Sequence, residues 1–185
     1  MVTLQEVSRK ILNLLETEKL DYLIMGGLAT SIIGEARMTQ DIDILIFIGK
    51  DNIVQLLNAA KKIGFRFNKK KLDEDINLRG IFQLTYGSFH VDFICGAMPF
   101  ELEAVKRKQK LPLYGMKVSF PTPEDLILFK LIPAREKDLL DAKGIITRHK
   151  GKLDFAYLRK WVNVIAEDLQ DLRIVRRLEE VIRKN

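Results

Sequence analysis

The stretch from Arg37 to Phe47, RMTQDIDILIF, sets two carboxylates, Asp41 and Asp43, at the head of an apolar run that continues through Ile48. Ile42, Ile44, Leu45, Ile46, Phe47 and Ile48 read as a buried strand. Side chains alternate along a strand, so Asp41 and Asp43 share one face, about 6.6 Å apart along it. Two carboxylates on one face repel, and burial raises the cost further. Either the strand is a sheet edge that carries charge against aggregation, or a cation offsets the repulsion. Hard divalent ions such as Mg²⁺ take carboxylate oxygens. Two such ions about 3.5–4 Å apart can clamp the attacking and leaving oxygens of a phosphoryl transfer.

With 185 residues the chain has room for one large domain, or for a core with a helical appendage. Its 30% charged content and lack of any apolar run near the roughly 18 residues of a membrane span argue against a membrane protein. The first nineteen residues lack the apolar centre of a signal peptide. They read as an amphipathic helix, with Thr3 and Glu6 matching a capping box and Leu4, Val7, Ile11 and Leu14 at helical spacing. Cys95 is the only cysteine, so no internal disulfide forms, and a cytoplasmic protein is the simplest reading. The net charge of +6 modestly favours an anionic partner such as a nucleotide or RNA.

Tyr22–Met25 reads as a short strand running into Gly26-Gly27, and 28–33 as a short helix stopped at Gly34. After the Asp-Ile-Asp strand, 51–64 reads as a helix capped by Asp51, with Ile53, Leu56, Leu57, Ala60 and Ile63 in a stripe and Gly64 as its stop. Residues 80–94 read as two strands turning at Gly87-Ser88, and 110–120 as a smaller hairpin turning near Tyr114-Gly115. The remainder is helical. Thr122 caps a helix with Pro123 at its first position, ending near Leu131. Further helices are expected from Pro133, over 154–167 and over about 168–183. This gives an α+β chain: a mixed sheet flanked by helices over residues 1–121, then a helical region over 122–185 packed on it.

Two features accompany the Asp pair. Gly26-Gly27 lies between a strand and a helix, where glycines let the backbone approach a ligand and N–H groups at a helix start suit phosphate. In FHVDFICG, Phe89, Val91 and Phe93 share one face of a strand, and His90 and Asp92 the other. If that strand lies beside the first, Asp92 completes a carboxylate triad. A glycine pair, then Asp-x-Asp, then a separate strand Asp is far more specific than any one part. The order resembles the nucleotidyltransferase superfamily that includes DNA polymerase beta. GGLATSIIGEARMTQDIDILI is more closely similar to the branch of minimal nucleotidyltransferases, antibiotic nucleotidyltransferases and AbiEii/MenT-type toxins, in which Arg-x-Thr, here Arg37 and Thr39, commonly precedes the Asp-x-Asp strand. PEDLILFKL followed by REKDLLDA extends the resemblance to about residue 142. Gly27 departs from it, standing where many relatives have serine.

The resemblance implies a polymerase-beta-like core and transfer of a nucleoside monophosphate from a nucleoside triphosphate (NTP), with release of pyrophosphate. Asp41, Asp43 and Asp92 would hold a two-ion Mg²⁺ site, with Mn²⁺ as a substitute, and Asp92 would help deprotonate the attacking hydroxyl. Gly26 and Gly27 would cradle the β- and γ-phosphates, Arg37 would pair with a phosphate, Thr39 would fix the loop, and Lys130 would bring positive charge to the triphosphate. The acceptor would be a hydroxyl of RNA, such as a tRNA end, or of a protein. An antitoxin protein would be a partner of a toxin-like member. Plainer readings stand beside these. Arg37 can offset Asp41, Thr39 can be an ordinary loop hydroxyl, and Lys130 can snorkel to the surface. Lys137 and Asp141 suit a surface ion pair, Asp138 is expected exposed or paired with Arg135, His90 and His149 read as structural and loop residues, and Trp161 reads as packing. Basic clusters at Lys69–Lys71, 106–110, 148–152 and Arg173, Arg176 and Arg177 read as solvated faces or as guides for RNA. The alternative function is a non-catalytic nucleotide- or RNA-binding relative acting as one half of a complex; an Asp-x-Asp glycosyltransferase fits the glycine pair and the chain length poorly.

Overall fold

A computed structural model of the chain describes residues 2–36, 38–133 and 135–183. The elements run α1 (Leu4–Thr17), β1 (Asp21–Ile24), α2 (Gly26–Ile33), β2 (Asp41–Phe47), α3 (Lys50–Lys62), α4 (Lys69–Arg79), β3 (Ile81–Tyr86), β4 (Phe89–Cys95), α5 (Pro99–Lys106), β5 (Gln109–Leu113), β6 (Met116–Phe120), α6 (Pro123–Leu131), α7 (Glu136–Arg148), α8 (Phe155–Asp168) and α9 (Arg173–Arg183). They form two compact units. The first comprises Met1–Leu28, Met38–Ala97 and Gln109–Phe120; the second comprises Ala29–Arg37, Met98–Lys108 and Pro121–Asn185. No described helix is long and apolar enough to cross a membrane.

The first unit is built on a four-stranded sheet in the order β1-β2-β4-β3, with β5 and β6 forming a separate hairpin. β2 runs antiparallel to β1 and parallel to β4, and β4 runs antiparallel to β3. The Asp-x-Asp strand is therefore interior, so its charges do not blunt a sheet edge. The registers put Ile42, Ile44 and Ile46 on one face with Tyr22, Ile24, Val91, Phe93, Phe82 and Leu84, all at most 2% exposed. Phe82 and Phe93, directly opposite in register, stack with ring centroids 4.6 Å apart. Each such side chain contributes about 1.5–3 kcal/mol through burial. That apolar face fixes the register, because a slip of one residue would turn every isoleucine of β2 to the other side. The opposite face carries Asp41, Asp43, His90, Asp92, Gln83 and Thr85, with the buried Leu23 and Leu45 further along it.

In α1, Thr3 Oγ1 accepts from the Glu6 N–H at 3.2 Å, the threonine half of the expected capping box. α2 begins at Gly26, two residues before the expected start, and Gly26 itself keeps a left-handed φ of 56° where the chain turns into the helix. α3 begins at Lys50 with Gly49 as its cap, which moves Asp51 from the cap into the first turn. α4 carries only Leu72 as a buried residue, so no apolar stripe announces it. Its signals are local: Asn68 Oδ1 accepts from the Lys71 N–H at 3.1 Å, and Gly80 closes the helix in the left-handed region at φ 64°. α5 likewise opens on Pro99, with Glu101 Oε2 accepting from the Met98 N–H at 2.9 Å.

In the second unit, Thr122 caps α6, as the sequence predicts, and Asp154, expected as the first residue of a helix, is instead the cap of α8. α7 starts at Glu136 rather than Pro133. α9 starts at Arg173, five residues after the expected point, because Gln170 takes φ 51° and Asp171 Oδ1 accepts from the Arg173 N–H at 3.0 Å. Trp161 does pack, 5.8 Å from the Phe100 ring and 6.1 Å from Tyr157. Beside it Asp125, fully buried, accepts from Tyr157 Oη at 2.6 Å, Thr122 Oγ1 at 2.7 Å and Arg107 Nε at 3.3 Å. Burial and the neighbouring Asp125 push the Tyr157 hydroxyl well above the ordinary tyrosine range.

Candidate active site

The register of the sheet assembles the acidic face. Asp43 lies directly opposite Asp92 on the parallel neighbour, and Asp41 opposite His90. Neighbouring strands stand about 4.8 Å apart, so the backbone of Asp92 lies nearer to that of Asp43 than Asp41 does along its own strand. Asp41 is exposed, and Asp43 and Asp92 are half-buried, so water reaches all three. Asp41 Oδ1 stands 3.5 Å from His90 Nδ1, and Asp92 Oδ1 accepts from Gln83 Nε2 at 2.7 Å. His90 thus pairs with Asp41 rather than with Asp92. Among the described residues, no three Asp, Glu, His or Cys side chains are gathered into a ready metal cage. The three carboxylates nevertheless share one face in adjacent registers, and their oxygens are the donors a hard divalent cation takes.

The glycine pair is tied to the same face. The Met25 N–H donates to the Asp43 carbonyl at 2.8 Å, extending the β1–β2 ladder by one residue and setting Gly26 beside Asp43. Gly26 has φ +56°, and a Cβ there would lie 1.7 Å from Asp43 Oδ2. Both the backbone conformation and the space exclude a side chain. Gly26→Ala is expected to cost about 1–2 kcal/mol from the left-handed backbone alone, more with the clash, and to displace Asp43. Urea denaturation of wild type and variant checks this; an unchanged midpoint would contradict the packing described. A Cβ at Gly27 would lie 2.7 Å from Thr39 Oγ1 and 2.8 Å from its Cβ. Thr39 therefore fills the space that a serine at position 27 would need, which gives the departure at Gly27 a steric reason. Thr39 Oγ1 also donates to the Asp41 carbonyl at 3.2 Å, holding the loop that enters β2. Arg37 lies outside the described residues.

Lys130 belongs to the second unit and is only 5% exposed. It does not snorkel: Nζ donates to Asp141 Oδ2 at 2.7 Å and to Asp138 Oδ1 at 3.2 Å. Asp138 is buried, not exposed, and also accepts from Arg135 Nε at 2.6 Å. Asp141 faces Lys130 across the α6–α7 connection, where i, i+4 spacing points instead to Lys137. Thr30 Oγ1 adds a longer contact to Asp141 Oδ2 at 3.4 Å. Two further basic side chains in this unit hold the end of α2: Arg148 donates to the Gly34 carbonyl, and His149 Nε2 lies 2.8 Å from the Ile33 carbonyl, so His149 is more than a loop residue.

Burial alone would raise the Asp138 carboxyl, but the hydrogen bond from Arg135 and the Lys130 charge outweigh it and hold the group below its ordinary 3.8. A depressed carboxyl contributes stability that is complete above its unfolded value and is lost as pH falls through the folded one. Asp138→Asn should therefore destabilise the protein most from near pH 5 upward, and the gap to wild type should shrink as pH falls below about 4. Thermal melts across pH 3 to 7 check the sign. A gap that widens in acid would contradict it.

A family profile described as "Nucleotidyltransferase of unknown function (DUF6036)" matches residues 2–183. No curated protein sequence matches the chain. Among solved structures, the chain is similar to the antibiotic-resistance factor ANT(2'')-Ia in solution, at 16% identity and TM-score 0.62, covering 90% of this chain and 94% of that one. It is similar to the lincosamide antibiotic adenylyltransferase LnuA, solved lincomycin-bound, at 16% identity and TM-score 0.54, covering 82% and 99%. A candidate nucleotidyltransferase from Thermotoga maritima aligns at 18% identity and TM-score 0.50, covering 85% and 91%. At these identities the likeness establishes the nucleotidyltransferase fold.

Proposed function

The chain belongs to the nucleotidyltransferase family of unknown function DUF6036, and from that premise we propose that it moves a nucleoside monophosphate from an NTP to an acceptor hydroxyl through the acidic face of its sheet. The observation that carries this reading is the register that sets Asp92 opposite Asp43, two residues from Asp41, beside a glycine-started helix. Asp41, Asp43 and Asp92 would hold Mg²⁺, with Mn²⁺ as a substitute. Bound there, the metal would neutralise charge on the triphosphate and on the attacking oxygen.

This chain's own residues do the rest. The N–H groups at the start of α2 receive the β- and γ-phosphates, with Gly26 and Gly27 letting them approach. Arg37 meets a phosphate, and Thr39 holds the strand entrance. The acceptor oxygen forms a bond to the α-phosphorus as the bond from that phosphorus to the bridging oxygen breaks. Pyrophosphate leaves, and Asp92 takes the hydroxyl proton. Lys130, satisfied by the buried Asp138 and the half-buried Asp141, serves in this reading as the counter-charge that holds α6 to α7.

For the acceptor we propose RNA, such as a tRNA end, or a protein hydroxyl. Lys69, Lys70 and Lys71 stand exposed at the start of α4, in the same unit as the triad. Other cations of the basic clusters are engaged within the protein: Arg107 with Asp125, Lys110 with Glu16, and Arg173 with Asp171. The sequence resemblance to AbiEii/MenT-type toxins supports a cytoplasmic toxin-like enzyme checked by an antitoxin protein. The test is incubation with each α-labelled NTP, Mg²⁺ and either total RNA or a protein extract. Label transferred to one fraction, abolished by chelation, supports the reading. No product with any NTP or metal would instead favour a binding relative that acts as one half of a complex. If RNA is the acceptor, its binding weakens steeply with salt.

A further inference from the structure

The polar groups of the acidic face lie in two rows across β2, β4 and β3. One row is Asp43, Asp92, Gln83; the next is Asp41, His90, Thr85. In the first row Gln83 Nε2 donates to Asp92 Oδ1 at 2.7 Å. A carboxylate accepts only, so the Gln83 atom that faces it must be the amide nitrogen. The two oxygens of a carboxylate lie on opposite sides of its axis. Oδ1 is held by Gln83 on β3, and β2 with Asp43 in register flanks Asp92 on its other side. The last torsion of an aspartate is broad and holds no orientation by itself. Asp92 therefore takes its aim from Gln83.

We propose that Gln83 is a positioning residue that aims Asp92 at a divalent cation shared with Asp43. This rests on the metal-dependent reading of the site given above. Partners that orient a ligating group typically carry about 10- to 100-fold in metal affinity. Gln83 is exposed, so its replacement leaves the core of the sheet in place. Thr85 lies two residues along the same strand and face, with its hydroxyl donating to the Arg66 carbonyl at 3.2 Å, and serves as the control for general disturbance of β3.

The experiment titrates Mn²⁺ into the intact protein and follows the free ion by electron paramagnetic resonance. Wild type, Gln83→Met, Gln83→Leu, Thr85→Val and Asp43→Asn are compared, each checked for folding by circular dichroism. Both Gln83 variants should weaken Mn²⁺ binding by about 10- to 100-fold, and Thr85→Val should match wild type. In the transferase assay, the Mg²⁺ concentration for half-maximal rate should rise by the same factor while the KM for NTP at saturating metal stays put. Unchanged or tighter Mn²⁺ binding in both Gln83 variants, with binding lost in Asp43→Asn, would overturn the role of Gln83 and leave the metal reading standing. Wild-type protein that binds no Mn²⁺ would overturn both.

Discussion

Asp43→Asn is expected to abolish nucleotidyl transfer, with a loss of about 10²- to 10³-fold or more, the scale at which one preorganised charge-stabilising group is felt. Asp43 is the shared member of the triad, two residues from Asp41 along β2 and directly opposite Asp92 on β4. Without its charge neither neighbour can complete a site alone. Asparagine keeps the shape that packs against Gly26, so the β1–β2 ladder and the start of α2 stay in place. Its melting temperature should therefore lie within a few degrees of wild type, since removing one of two facing carboxylates also relieves repulsion. Asp43→Ala should be equally inactive. Transfer at the wild-type rate in a folded Asp43→Asn protein would refute the assignment.

Lys130→Met should act on stability instead, costing about 3–5 kcal/mol, the range for removing one partner of a buried ion pair. Methionine matches the length of lysine but leaves Asp138 and Asp141 without the ammonium that joins them, and Asp138 is 1% exposed. Arg135 still reaches Asp138 and Thr30 still reaches Asp141, so neither carboxylate is left bare. Urea denaturation gives the cost directly. Lys130→Met melting like wild type would mean that the network carries no net stability. Activity separates the two roles considered for this lysine. A counter-charge between α6 and α7 predicts activity that follows the folded fraction. A cation at the triphosphate predicts a lost rate in protein that is still folded.

Much of the acidic strand was legible because its two signals agree. Alternation placed Asp41 and Asp43 on one face, and the unbroken isoleucines required burial of the other. The β3–β4 turn at Gly87 and the β5–β6 turn at Tyr114-Gly115 were legible from turn chemistry, and both glycines take positive φ. The pairing of β4 with β2 was not, because parallel register depends on contacts across nearly fifty residues; only the motif order pointed to Asp92. Gln83 left no trace, since an exposed glutamine in a strand looks like any solvated residue until its neighbour is known. α4 was missed because a helix with one buried residue has no periodicity to read. Lys130 stands in an apolar helix, where the sequence offers it the triphosphate or the surface. Its partners, eight and eleven residues on, lie beyond a proline-broken connection, where helix spacing rules have no reach.

The most direct test is a crystal of the protein grown with Mn²⁺ and a non-hydrolysable ATP analogue, with data collected at the manganese absorption edge. An anomalous peak bound by oxygens of Asp43 and Asp92, with the triphosphate lying against the start of α2, is the predicted result. A triphosphate seated elsewhere, or manganese that leaves all three carboxylates untouched, would contradict it.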